Sequence, residues 1–106
     1  MGQYFIIVNL DKKEYIHPHD LDTGAKLWEI CVNNVGGILL FLLRQSSASG
    51  GGDIHEDYKY AGRWANDRIV VVGDYDSSEL YQKAKREFKN ISKEANKEYT
   101  NFIKSF

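Results

Sequence analysis

The chain has 106 residues, 42% of them hydrophobic and 27% charged, with one proline and one cysteine. That leaves room for one domain with its own core and excludes disorder over the whole length. A formal net charge of −1 gives no overall pull toward nucleic acid or an anionic membrane.

The charge is unevenly placed. Residues 77–106 carry seven Lys or Arg against four Glu, a balance of +3, while residues 1–76 carry seven against eleven, a balance of −4. The two parts can answer each other within one fold or between two copies. Cys31 has no partner for an internal disulfide, and its neighbours Ile30 and Val32 predict a packed thiol in a reducing compartment. Met1 runs straight into strand-like sequence with no basic-then-apolar leader, so the expected location is cytoplasmic.

Gln3 to Asn9 puts Tyr4, Ile6 and Val8 on one face of a strand and Phe5 and Ile7 on the other. Both faces are apolar, which predicts a central strand covered on two sides. A polar turn, Leu10 to Lys13, leads into a shorter strand over Glu14 to His17, which Pro18 ends. The acidic loop His19 to Gly24 offers Asp22 or Thr23 as cap for a helix starting near Ala25. In it Leu27, Ile30, Cys31 and Val35 recur at helical spacing, and Asn33-Asn34 with Gly36-Gly37 punctuate its end.

Ile38 to Leu43 then gives six consecutive large apolar side chains, four of them leucine. A membrane span needs roughly 20 such residues, so this run predicts a helix apolar all round and buried all round. Residues 46–57 contain one large apolar side chain, Ile54, and have the composition of a flexible Gly/Ser-rich loop. Their glycines lack both the Lys-Ser/Thr that closes a P-loop and the Gly-x-Gly-x-x-Gly spacing of a dinucleotide site.

Tyr58 to Trp64 and Arg68 to Gly73 read as a second hairpin, turned by Ala65-Asn66-Asp67. The run Ile69 to Val72 is β-branched throughout, and it is expected beside the first strand in the middle of the sheet. Past Asp76 and Ser77, either able to open a helix, Leu80, Ala84, Phe88, Ile91, Ala95, Tyr99, Phe102 and Phe106 form a heptad-like stripe. One helix of that length would be about 45 Å long against a domain width of ~35 Å. A break is therefore expected at Asn90-Ile91-Ser92, with Ser92 capping the second piece. The expected architecture is a single α+β domain over residues 1–106, in the order ββαα-ββ-αα, with a four-stranded, mainly antiparallel sheet of two hairpins.

At Gly2-Gln3-Tyr4-Phe5, Val8-Asn9-Leu10-Asp11-Lys12-Lys13-Glu14-Tyr15-Ile16 and His17-Pro18-His19 the chain resembles a widespread family of small uncharacterised microbial and phage proteins. The resemblance runs on through Lys26-Leu27-Trp28-Glu29, Gly50-Gly51-Gly52-Asp53, Gly62-Arg63-Trp64-Ala65, Asp67-Arg68-Ile69-Val70, Gly73-Asp74-Tyr75 and Asn90-Ile91-Ser92. It implies no activity and no assigned functional residues. The family pattern has glycine where Asp22 and Asn66 stand here.

Three constellations carry candidate chemistry. His17 and His19 are two apart and, with His55 and the aspartates Asp20 and Asp22, could share a divalent metal. Asp53, Glu56 and Asp57 beside His55, and Asp74 with Asp76, could serve acid-base or Mg²⁺ chemistry once something fixes their geometry. Tyr99, Phe102, Phe106 and Trp64 are candidate contact residues for a protein partner or a second copy. The aromatics could also stack on single-stranded nucleic acid, but the basic surplus that drives such binding is missing. The favoured expectation is a non-enzymatic binding or protein-interaction module, self-associating through its C-terminal helical segment and needing no cofactor. The alternative is a small metal-dependent enzyme built on His17, His19 and His55. Nucleic acid and membrane are not expected partners.

Overall fold

Ile6 and Val8 leave the first strand on one side and Ile7 on the other, and all three are fully buried. In the computed structural model, which describes residues 2–106, that strand (β1, Phe5–Asn9) is the inner layer of an α+β fold. It pairs antiparallel with β2 (Glu14–Ile16), Ile7 lying opposite Ile16, and with β3 (Ile69–Gly73), Ile7 lying opposite Val71. A two-residue strand, β4 (Lys89–Asn90), joins the far side of β2 in parallel, giving the order β3-β1-β2-β4. The sheet is mixed, with two of its three pairings antiparallel.

One face of the sheet is covered by α3 (Leu80–Glu87), whose Tyr81 and Ala84 pack on Ile6, Val8, Tyr15 and Val72. The other carries the larger core, where Ile7 and Ile16 meet Ile38, Phe41 and Leu42 of α2 (Val35–Leu43), Trp64, and Ile91 and Ala95 of the last helical segment. Burying each large aliphatic there contributes about 1.5–3 kcal/mol, so period-two alternation in β1 is stabilised from both sides.

The stripe of the last thirty residues breaks where expected. β4 separates α3 from α4 (Ser92–Lys104). The cap differs in detail: Asn90 Oδ1 accepts the Ser92 N–H at 3.0 Å, while the buried Ser92 hydroxyl accepts the His17 N–H at 2.8 Å and so ties α4 to the end of β2. Asn9, also buried, does the same for the other turn. Its Nδ2 donates to Asp67 at 2.8 Å and its Oδ1 accepts the Asp11 and Lys12 N–H groups. Asn66 in that turn and Asp22, just after the 3₁₀ turn Pro18–Leu21, both adopt positive φ, +67° and +56°.

Three expectations are corrected. Tyr58 to Trp64 is not a strand, so the sheet has one hairpin rather than two, and β3 lies at its edge rather than in its middle. The Gly62 and Trp64 N–H groups donate instead to the Phe41 and Leu42 carbonyls, each at 2.9 Å. Those are the end carbonyls that α2 leaves without helical partners. The leucine-rich helix is covered on one side only: Ile38, Phe41 and Leu42 are buried, but Leu40 is 74% exposed. Cys31, in α1 (Leu27–Val32), is exposed, because this helix of under two turns buries only Ile30.

Candidate functional site

Helices α1, α2 and α4 lie side by side, α2 touching both of the others. Contact between α2 and α4 is close at Gly37, where a side chain would collide with the Tyr99 ring. Phe41 then gathers an aromatic cluster, with ring centroids 5.7 Å from Tyr58, 6.0 Å from Tyr99 and 5.3 Å from Phe102. Phe106 stands edge-on to Phe102 at 5.2 Å and is 68% exposed. A groove of about 380 Å³ runs between the two helices, lined by Leu40, Phe41, Ile54, Tyr99, Phe102 and Ile103 with Arg44 and Asp53 as its charges.

The 46–57 segment is folded against this groove at two points. Ile54 is buried in the main core, and Arg44 donates to the Ser46 and Ala48 carbonyls at 3.4 and 2.5 Å. Glu98 of α4 accepts the Lys59 and Tyr60 N–H groups at 3.0 and 2.8 Å, which fixes the chain that follows.

Of the candidate contact residues, Phe106 is exposed and Tyr99 and Phe102 are half-buried against Phe41. Trp64 is fully buried and cannot be a contact residue. Its indole N–H donates to Glu14 Oε1 at 2.8 Å, and Arg63 holds the same carboxylate through Nε at 3.0 Å and Nη2 at 2.5 Å. The Tyr60 ring lies 5.8 Å from that guanidinium. This network joins β2 to the end of α2 and is architectural. Its only sequence signal is a carboxylate standing next to the core residues Tyr15 and Ile16.

The structure brings His17 and His19 together and does nothing similar with His55. The first two rings stack at 5.0 Å, and Tyr4 meets His19 edge-on at 5.6 Å. His17 Nδ1 accepts the His19 N–H at 3.2 Å, capping the 3₁₀ turn Pro18–Leu21, so that nitrogen is already engaged. His55 is exposed on the loop beyond Ile54. Among the described residues, no three His, Cys, Asp or Glu side chains are grouped so that they could hold a metal ion. Asp76 serves its own turn by accepting the Ser78 N–H at 3.0 Å, and Asp74 accepts the Tyr4 N–H at 3.0 Å.

Burial holds the His17 imidazole below its ordinary pKa, and Lys85 and His19 add to the cost of charging it, with Asp20 opposing. The unfolded chain therefore takes up this proton first as pH falls. Stability is expected to be full above about pH 6.5 and to decline below it. His17→Asn keeps a capping acceptor that does not titrate, and unfolding midpoints measured from pH 7 down to 5 should lose this part of the slope.

No protein-family model, curated protein or solved structure matches this chain. No helix among the described residues is long and apolar enough to cross a membrane.

Proposed function

We propose that the chain is a non-enzymatic protein-interaction module that self-associates through the outer face of α1 and α2, continued by the end of α4. One observation carries this reading. Of ten exposed large hydrophobic side chains among the described residues, seven belong to this one layer. Leu27, Trp28 and Val32 lie on α1, Leu40 and Leu43 on α2, and Ile103 and Phe106 at the end of α4. At ~150–250 Å² for a large side chain, their exposed fractions leave roughly 800 Å² uncovered, about what one partner contributes to a standard interface. Trp28, 66% exposed, is the side-chain type that most often anchors such a contact.

Leu40→Glu tests the proposal. Leu40 makes little of the core, so the fold should keep its stability to within about 0.5 kcal/mol. Placing a carboxylate in the contact should weaken self-association about tenfold or more in sedimentation velocity. A variant that sediments as the wild type does at every concentration overturns the assignment.

A further inference from the structure

The two edges of the sheet are finished differently. β4 is two residues long and carries Lys89, the short charged ending that discourages strand addition. β3 is Ile-Val-Val-Val-Gly, continuous in register with β1 and without proline or charge inside it. Such an edge is a template for another strand.

Which backbone groups it offers follows from the ladder. Leu10 N–H donates to the Arg68 carbonyl and Asp74 N–H to the Tyr4 carbonyl, each at 2.9 Å, just beyond the two ends of the β1–β3 pairing. Bonded pairs alternate in an antiparallel ladder. Val70 and Val72, opposite Val8 and Ile6, therefore turn their N–H and C=O groups to β1. Ile69, Val71 and Gly73 turn theirs outward. Gly73 is buried and closes into the next turn, its carbonyl accepting the Asp76 N–H at 3.1 Å. Ile69 and Val71 stay open, and Val71 is 42% exposed.

We infer that this edge takes β3 of a second copy, antiparallel about a twofold axis through Val71, so that one sheet continues through both chains. The central Val71 residues then exchange two backbone hydrogen bonds, with Ile69 opposite Gly73 on either side. The same register sets Arg68 opposite Asp74 at both ends, because the two charges stand symmetrically about Val71 and differ in sign. Each has capacity to spare. Arg68 binds Asp11 through Nε and Nη2, leaving Nη1. Asp74 gives one oxygen to the Tyr4 N–H and forms no ion pair among the described residues. Sliding the partner toward Ile69 would put Arg68 against Val72 and Asp74 against Asn66; sliding it the other way runs it into the turn after Gly73. The self-complementary charges select a second copy over an unrelated extended peptide. This contact stands apart from the helix layer and does not depend on it.

Residue-resolved amide exchange on the wild-type chain, followed over a range of protein concentrations, is the test. The Val71 amide should slow as concentration rises, while Val70 and Val72, already bonded to β1, should not change. The same pattern in Leu40→Glu establishes edge pairing without the helix contact. Arg68→Asp or Asp74→Arg alone sets like charges opposite each other and should weaken the effect roughly tenfold, and the double exchange should restore it. Concentration-independent exchange at Val71 overturns the inference even if the protein dimerises, since association would then lie on the helices. Protection brought only by a foreign extended peptide, or a double exchange that fails to rescue, overturns the proposed pairing as well.

Discussion

Glu14→Ala is expected to destabilise the fold by about 3 kcal/mol or more, the range seen when one partner of a buried ion pair is removed. The carboxylate is almost wholly covered, and its loss leaves the Arg63 guanidinium and the Trp64 indole N–H without acceptors. Arg63 keeps one side toward solvent, which places the estimate at the lower end of that range. Glu14→Gln retains an acceptor and should fall between the two in denaturant unfolding. Acid adds a second readout. Burial by itself raises the Glu14 pKa, but the hydrogen bonds from Arg63 and Trp64 and the Arg63 charge outweigh it and hold the group below the ordinary carboxylate value. The unfolded chain is thus protonated first, so this stabilisation is present above about pH 4.5 and is lost as pH falls further. Glu14→Gln should flatten that acid limb. An alanine variant as stable as the wild type would show that the network contributes nothing.

Gly62→Ala should cost a comparable amount, about 3 kcal/mol, for a different reason. Gly62 has φ +77°, and a Cβ there would lie 2.6 Å from the Arg44 carbonyl oxygen. Left-handed backbone costs a non-glycine residue about 1 kcal/mol, and overpacking adds typically 1–3. The obstruction is main chain at the end of α2, so no side chain can swing aside. Gly51 is the control: its φ is +69°, but nothing lies within 4 Å of its Cβ position. Gly51→Ala should lose only the conformational part. Thermal melts should separate the two by roughly 10 °C, at about 4–8 °C per kcal/mol for a domain of this size. Equal melting temperatures would mean that Gly62 can relax away from Arg44.

Elements whose residues depend on near neighbours were legible in advance. β1 and β2 followed from period-two alternation and a polar turn, and the break before α4 followed from a stripe too long for one domain. What escaped depends on distant partners. Tyr58 to Trp64 alternates like a strand, yet its donors serve helix-end carbonyls twenty residues earlier, and Gly62 was the one local sign of a bend. An unbroken leucine run has no polar side, so nothing in its spacing shows that Leu40 faces outward while Ile38 and Leu42 face the core. Glu14 and Trp64 stand fifty residues apart, and no pattern within either stretch pairs them. The histidine spacing did place two rings together, but among the described residues no third ligand joins them. Tyr99 and Phe102 were legible as apolar, not as half-covered by Phe41.

β1 draws its two neighbours from residues 14–16 and 69–73. During synthesis the first arrives almost at once and the second only some sixty residues later, a delay of roughly 3–12 seconds at about 5–20 residues per second. Throughout that interval one edge of β1 has no strand to pair with. A chaperone that shields short apolar hairpins during translation should therefore raise the yield of this protein more than one that acts on the finished chain.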